Sequence, residues 1–147
     1  MYSLEDFIKY GGKHLPEITV RTDGFERVKT VSPFTHRDFA LIRVPVGHTK
    51  ERFLKNVREP CEFAGFSHAH HLLRHPYLFK RLCDRYKEGG DVFRIDFIGT
   101  TAVQKSHVPV FFHPSLVKNE GAQVFELTWV RDFHCSQYVC MMQKPPR

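Results

Sequence analysis

Residues 76–98 have the sequence PYLFKRLCDRYKEGGDVFRIDFI, in which the apolar spacing of a helix gives way to the alternation of a strand. Up to Glu88, apolar residues recur on one side of a helix and basic residues on the other, and Pro76 suits a first helical turn. Gly89-Gly90 ends this helix, and residues 91–98 then alternate, with Phe93, Ile95 and Phe97 expected on one face. A helix and a strand joined in this way predict a domain of mixed α and β structure.

The N-terminal part of the chain adds a helix and three strands to this prediction. A short capped helix is expected within residues 3–10. Residues 17–22 and 25–31 flank Asp23-Gly24, a dipeptide that favours the tight turn of a hairpin. A further strand is expected at residues 38–46, where both faces are largely apolar, so we expect it to lie centrally in the sheet.

The remaining elements are set by helix caps and by alternation. Thr49 is expected to cap a helix that ends near Arg58, and Ser67 to cap a second helix that is rich in histidine. Residues 108–112 form a predicted strand whose Pro109 indicates a sheet edge or a bulge. Residues 123–130 alternate again, which places Phe125, Leu127 and Trp129 together.

These elements predict a single α+β domain over residues 1–147. Its sheet is expected to be mainly antiparallel, with about five or six strands and three or four short helices packed on one side. No internal repeat or long linker divides the chain. The tail, residues 134–147, ends in two prolines and an arginine and is expected to be irregular.

Composition and charge limit the class of protein rather than identify it. The 147 residues are 41% hydrophobic and 26% charged, enough to form one buried core. The net charge of +6 is spread along the chain without a basic block, which permits contact with a polyanion but does not require it. No apolar run has the length of a membrane span, and the N-terminus has no apolar signal segment. We therefore expect a soluble intracellular protein, cytoplasmic by default, with an organelle as the alternative.

The segment between Cys61 and Cys83 is rich in histidine, the side chain that binds metals and titrates near neutral pH. On a helix, His68, His71 and His75 would share one narrow sector along the boundary of the buried face. Two such imidazoles can supply zinc ligands, and a nearby cysteine could add a thiolate. The spacing matches no known metal motif, so the alternative is a basic helix whose histidines form local hydrogen bonds.

A second set of possible zinc ligands lies near the C-terminus, where His134-Cys135 is followed by Cys140. Cys61 or His68 could complete a site with them from a distant part of the chain. The spacing is looser than in known zinc sites, and no secretory signal favours disulfides, so free thiols are the alternative. The sequence requires no cofactor, and zinc is the one that it permits.

Two predicted helices carry basic residues on their solvent faces. The first such face consists of Tyr77, Lys80, Arg81, Arg85 and Lys87, and the second consists of Lys50, Arg52, Lys55 and Arg58. Basic side chains beside an aromatic ring can contact phosphate groups and stack on a base. Solvation alone also explains a charged helical face, and the sequence contains no known nucleic-acid binding motif.

The sequence contains no complete catalytic motif. The Gly-x-Ser-x-Gly turn of a serine hydrolase is absent, and His134 is merely next to Cys135 in sequence. Residues 113–115, His-Pro-Ser, match one of the two His-x-Ser/Thr motifs of two-histidine phosphodiesterases, but residues 107–109 do not supply the second. These absences make an enzyme the less favoured class.

Three hypotheses about function follow. The first is a non-enzymatic binding or structural subunit of a larger assembly, such as a ribonucleoprotein or viral particle, that contacts nucleic acid or an acidic protein through a basic helical face. The second is a metal-dependent phosphoester hydrolase that uses His68, His71 and His75. The third is a protein–protein inhibitor whose function lies in its surface shape. Association that weakens with salt would support the first, and bound metal the second.

Overall fold

The computed structural model describes residues 18–22, 35–56, 62–104, 110–119, 121, 124–131, 133 and 136–142. Their α-helices are α1 (Lys50–Asn56), α2 (Phe66–Arg74) and α3 (Pro76–Asp84). Two short 3-10 turns cover His36–Asp38 and Lys87–Gly89. The strands are β1 (Ile18–Thr22), β2 (Phe39–Arg43), β3 (Glu62–Phe63), β4 (Arg94–Asp96), β5 (Thr100–Gln104), β6 (Val110–Asn119), β7 (Val124–Val130) and β8 (Tyr138–Met142).

The eight strands of the described residues form one sheet in the order β1-β5-β6-β4-β8-β2, to which β7 adds beside β6 and β3 beside β8. All of these pairs are antiparallel except β4 with β8. The predicted α+β class and the mainly antiparallel sheet are therefore confirmed. The first helix and the second hairpin strand of the sequence prediction lie outside the described residues.

The helices begin close to where their caps predict. The hydroxyl of Thr49 accepts a hydrogen bond from the backbone N–H of Arg52 at 3.1 Å, which caps α1. Pro76 is the first residue of α3. A residue in the first turn donates no hydrogen bond within its helix, so the lack of an N–H in proline costs nothing there. The predicted cap of α2 is wrong by two residues, because Gly65 and not Ser67 lies at the N-cap.

Two hydrophobic clusters cover the two faces of the sheet. Along β8, Tyr138 and Cys140 belong to one cluster, whereas Val139 and Met141 belong to the other. This is the alternation that a strand imposes on its side chains. The first cluster includes the apolar side chains of α2 and α3, and the second includes Phe53 of α1. Consequently α1 lies on the opposite face of the sheet from α2 and α3. The expectation that the helices pack on one side of the sheet is therefore wrong for α1, because Phe53 packs on the other face.

Two expectations about strands need correction. Residues 138–142, expected to be part of an irregular tail, form β8, which lies between β2 and β4 and is buried on both faces. Residues 39–43, expected to form a central strand, pair only with β8 among the described strands. The outer edge of β2 is covered by side chains instead, since the hydroxyl of Tyr86 accepts the Leu41 N–H at 2.9 Å. Covering an edge strand in this way protects its free backbone groups.

A bulge separates β4 from β5, which both pair with β6. Asp96 pairs with Ser115, and Ala102 pairs with Phe112. An advance of six residues from β4 into β5 therefore matches an advance of only three residues along β6. The extra residues 97–99 bring Gly99 against β3, where its N–H donates to the carbonyl of Ala64 at 3.0 Å. A Cβ atom at Gly99 would lie 2.3 Å from the carbonyl oxygen of Phe63, so only glycine fits this close approach.

The strand β6 extends well beyond the predicted residues 108–112, and it continues through Pro114. The carbonyl of Pro114 accepts a hydrogen bond from the Phe97 N–H at 2.8 Å. Because N and C=O of one strand residue point to the same side, the proline nitrogen faces the bulge and not β7. The proline therefore removes no hydrogen bond from the β6–β7 ladder, which is why it is tolerated inside the sheet.

Candidate nucleic-acid interface

The helix α3 presents its polar side chains on two sides. Its Phe79 and Leu82 point into the first cluster and are 6% and 0% exposed. Tyr77, Arg81 and Arg85 follow one another at a spacing of four residues, on the side that meets the 3-10 turn His36–Asp38. The lysines of the predicted face, Lys80 and Lys87, lie on the other side of the helix, where they line a cavity. The predicted basic face is thus divided into two surfaces.

Arg85 holds the 3-10 turn against α3. Its Nη1 donates hydrogen bonds to the carbonyl of His36 at 2.7 Å and to that of Phe39 at 3.1 Å. The guanidinium also lies over the ring of Tyr86, 5.6 Å from its centroid. Since Arg85 is anchored at three points, it fixes the turn in place while its positive charge stays at the surface.

Arg37, Arg81 and Arg85 each add positive charge to the environment of His36. Loss of solvation, followed by the charges of Arg85, Arg81 and Arg37, lowers the pKa of His36. Arg37 and Arg81 form no salt bridge with a carboxylate in the described part of the chain. The guanidinium of Arg81 lies 5.2 Å from the ring centroid of Tyr77, whose side chain is 71% exposed. We call the surface formed by these five residues the arginine patch: His36, Arg37, Tyr77, Arg81 and Arg85.

Two carboxylates adjoin this patch in sequence, Asp38 beside Arg37 and Asp84 beside Arg85, and both are already engaged. Asp38 accepts hydrogen bonds from the backbone N–H of Thr35 at 2.6 Å and from its hydroxyl at 3.4 Å. These bonds cap the 3-10 turn and orient the carboxylate toward Thr35. Asp84 is paired with Lys87 at 3.1 Å. The arginine patch therefore keeps a net positive charge, since it contains three guanidinium groups and the two neighbouring carboxylates have other partners.

The second predicted basic face lies elsewhere. Lys50, Arg52 and Lys55 lie on α1, on the opposite face of the sheet from α3, and Arg58 is outside the described residues. Lys50 lines an open cavity of about 600 Å³ together with His48 and Arg131. The structure therefore separates the two basic runs that the sequence predicts, and only that of α3 has an exposed aromatic ring beside its arginines.

The histidine-rich segment forms a helix as predicted, but its rings do not share one boundary. His68 is 3% exposed and its ring packs edge-on against Phe39. His71 and His75 stack at 4.1 Å between centroids, and His75 lies beyond the end of α2 at Arg74. The predicted row of three imidazoles is therefore wrong for His68, because that side of α2 faces the core.

A local hydrogen bond accounts for the position of His68. Its Nδ1 accepts the backbone N–H of Gly65 at 3.0 Å, as a glutamate does in a capping box. Accepting this bond requires a neutral ring with its proton on Nε2. Burial, with the nearby His71 as a smaller cause, lowers the pKa of His68 to about 4. His68 thus closes the start of α2 instead of facing a ligand.

The other predicted zinc ligands are not brought together in the described residues. Cys83 lies on α3 and Cys140 in β8, both as free thiols, and Cys61 and Cys135 are outside the described residues. Burial raises the pKa of Cys83 to about 12 and raises that of Cys140 as well. No group of three potential metal ligands occurs in the part of the chain that the structure describes. The zinc site stays a prediction, which metal analysis of the purified protein would test.

A buried charged network surrounds Asp96, which is 0% exposed. The guanidinium of Arg94 donates to both carboxylate oxygens, from Nε at 2.9 Å and from Nη2 at 3.2 Å. His113 Nε2 lies 2.9 Å from Oδ2, and Ser115 donates to Oδ1 at 2.6 Å. Ser136 also donates its hydroxyl to Oδ2. Every partner lies on the face of the sheet that α1 covers.

The partners of Asp96 keep its carboxylate ionised. Burial raises the pKa of Asp96, but hydrogen bonds from His113 and Arg94 outweigh burial and leave it at about 2. Burial is also the main reason why the pKa of His113 is lowered, so its ring is neutral. Ser115 and Ser136 donate to the carboxylate and not to the imidazole, which leaves no hydroxyl paired with a base.

Sequence reasoning placed Tyr77, Arg81 and Arg85 on one helical face, but it missed the buried network and the contribution of residues 36–37 to the patch. Nothing local in the sequence indicates that Arg37 would meet α3. The network had a faint signal, since Arg94 and Asp96 have opposite charges at alternate positions of an apolar strand. Phe93, expected to face the core with Ile95, is instead 49% exposed because the regular strand begins only at Arg94.

Comparisons of the chain with protein-family models, with curated proteins and with solved structures find no significant match. Within the described residues, no helix combines the length and the apolar character needed to cross a bilayer.

Proposed function

We propose that this protein is a non-enzymatic binding subunit of a larger assembly and that its arginine patch contacts single-stranded nucleic acid. One observation carries this proposal: Arg85 binds the carbonyl of His36 at 2.7 Å and so holds the turn that bears Arg37 against α3, where Arg81 lies 5.2 Å from the ring of the exposed Tyr77. A site that concentrates positive charge beside an aromatic ring has the two elements that bind a nucleic-acid strand without sequence preference.

The chemistry of the patch favours phosphate groups and unstacked bases. Arg37 and Arg81 have no carboxylate partner among the described residues, so their donors are available to phosphate oxygens. Tyr77 offers a ring face on which a base can stack, and Arg81 at 5.2 Å strengthens such a stack by its charge. A base inside a duplex cannot reach this ring, which is why a single strand is the expected ligand.

The patch is supported by rigid elements. The helix α3 is held by Phe79 and Leu82 in the core, and Arg85 holds the 3-10 turn with two hydrogen bonds. A surface fixed in this way loses little conformational entropy when it binds, which improves affinity for a given set of contacts.

The proposal predicts salt-sensitive binding of an RNA oligonucleotide. Fluorescence anisotropy with a labelled uridine decamer should give a Kd that weakens with salt, with a log–log slope of about −2 for three phosphate contacts. Replacement of Arg37 and Arg81 by glutamate should weaken binding at least about tenfold, because it reverses two charges at the site. Tyr77→Ala should weaken it by about fivefold or more through loss of stacking.

Charge reversal on α1 provides the matched control. Arg52→Glu with Lys55→Glu changes the net charge by the same amount on the opposite face of the sheet, and should leave most of the binding intact. Equal losses in both double variants would mean that only net charge matters and would contradict the assignment to the patch. If the protein bound an acidic polypeptide but not RNA, and this binding depended on Arg37 and Arg81, the nucleic-acid proposal would be contradicted. The partner would then be an acidic protein.

A further inference from the structure

A second surface of α3 borders a cavity that the proposed function does not use. The cavity measures about 440 Å³ and lies between α3 and the hairpin formed by β6 and β7. This volume is within the range of small-molecule sites in proteins. Its residues come from both elements and from the segment before β4, so it is part of the folded sheet-and-helix layer.

The cavity has an apolar floor. Leu72, Phe79 and Val92 form part of it and are 0%, 6% and 5% exposed. Phe125 of β7 stacks obliquely on Phe79 at 4.7 Å between centroids and closes one side. Val124, also part of the lining, is 57% exposed, so apolar surface is open to water at the mouth. Such surface favours an apolar ligand segment that would remove it from water.

The mouth of the cavity carries an excess of positive charge. Its charged lining residues are Lys80, Lys87, Lys118, Asp84 and Asp91. Three lysines and two aspartates give the lining a net charge of one positive unit. Lys87 is paired with Asp84 at 3.1 Å. Lys80 of α3 and Lys118 of β6 form no salt bridge in the described part of the chain. These two ammonium groups are therefore available to one anionic group on a ligand.

The thiol in the cavity is not a reactive centre. Burial is the main reason why the pKa of Cys83 is raised to about 12, and Asp84 adds to the effect while Lys118 opposes it. The thiol stays protonated at neutral pH and acts as a small apolar wall. The cavity is thus suited to reversible binding and not to covalent chemistry.

We propose that this cavity binds a small amphipathic monoanion, a carboxylate with an apolar tail of medium length. The tail lies over Leu72, Phe79 and Val92, and the carboxylate lies at the mouth between Lys80 and Lys118. The single excess positive charge matches one negative charge on the ligand. The site is independent of the arginine patch, because its lysines lie on the other side of α3.

Decanoate is the probe that tests this site, with decanol as its uncharged counterpart. Calorimetry should show saturable binding of decanoate to the full chain, and decanol should bind about tenfold more weakly because it lacks the charge. Lys80→Gln with Lys118→Gln should weaken decanoate by about tenfold and leave decanol unchanged. The matched control, Arg52→Gln with Lys55→Gln on α1, also removes two positive charges and should bind both probes as the unmodified protein does.

Methyl NMR locates the bound tail without reliance on variants. Decanoate should shift the methyl resonances of Leu72, Leu73 and Val92, and leave that of Val139 on the other face of the sheet unchanged. Absence of saturable binding, shifts spread over both faces, or equal affinities for decanoate and decanol would each overturn the proposal. The RNA measurement does not depend on any of these results, since Arg37 and Arg81 are unchanged in them.

Discussion

Asp96 and His68 are polar residues inside the protein that are stable there because each has fixed partners. Asp96 keeps its charge because Arg94, His113, Ser115 and a second serine saturate its oxygens. His68 keeps a neutral ring because its Nδ1 must accept a backbone hydrogen bond. At this scale, burial and hydrogen bonding decide the protonation state, and composition alone does not reveal it.

The position of His68 predicts a loss of stability in acid. Its pKa is about 4 in the folded protein and 6.5 in the unfolded chain, so unfolding takes up a proton between these values. The neutral His68 therefore makes its full contribution to the free energy of unfolding above pH 6.5. That contribution is lost as the pH falls through 4, by about 3 kcal/mol in total. Urea unfolding between pH 7.5 and pH 4 measures this loss.

The variant His68→Asn tests the cause of that loss. An asparagine Oδ1 can accept the Gly65 N–H from the same position but does not titrate in this range. The pH dependence of the free energy of unfolding should become shallower, though His71 and His113, whose pKa values are also lowered, keep part of it. The control His75→Asn, at an exposed site, leaves the bond from the Gly65 N–H to His68 in place and should retain the contribution of His68. An unchanged slope in His68→Asn would refute this account.

Among the elements, the bulge between β4 and β5 links the sheet to the start of α2. Gly99 donates to the carbonyl of Ala64, one residue before the N-cap of α2. The Phe66 N–H in turn donates to the hydroxyl of Thr100 at 2.9 Å, at the first residue of β5. The bulge therefore positions the helix that carries the buried histidines.

Substitution of Gly99 by alanine should be strongly destabilising. The added Cβ would meet backbone atoms of Phe63 and Ala64 at 2.3 and 3.0 Å, and backbone cannot move aside as a side chain does. We expect a loss of about 3 kcal/mol in the free energy of unfolding, measured by chemical denaturation. Gly121→Ala is the matched control, since its nearest neighbour would be a side-chain oxygen at 3.6 Å. A Gly99→Ala protein as stable as this control would contradict the packing described.

The elements also differ in how far the sequence predicted them. The amphipathic α3 and the alternating β7 were predictable because their own side chains carry the pattern. The strand β8 and the second half of β6 were not predictable from the sequence. Pro114 argues against a strand unless its nitrogen is known to face a bulge, and β8 is buried on both faces, so it shows no alternation. Those features depend on distant partners, which local sequence does not contain.

The candidate site was predictable only in part for the same reason. Tyr77, Arg81 and Arg85 could be assigned to one surface from their helical spacing. The contribution of Arg37 depends on the contact between the 3-10 turn and α3, where the hydrogen bonds of Arg85 join residues 49 and 46 positions apart in sequence. The separation of Lys80 from the arginines required knowing which side of α3 faces the β6–β7 hairpin.

At the scale of the whole molecule, the sheet separates its charged surfaces into different environments. The arginine patch and the apolar cavity lie on either side of α3, and the basic residues of α1 lie on the opposite face of the sheet. A net charge of +6 is therefore not one diffuse field. In the described residues, only the arginine patch has an arginine without a salt bridge beside an exposed aromatic ring, which is why the proposed nucleic-acid contact is placed there.

The most direct test is to map backbone amide shifts by NMR while a uridine decamer is added at low salt. The account predicts that the largest shifts occur at the 3-10 turn His36–Asp38 and along α3, that they saturate, and that added salt reverses them. Shifts centred on α1, or no saturable shifts at all, would contradict the assignment of the arginine patch as a nucleic-acid site.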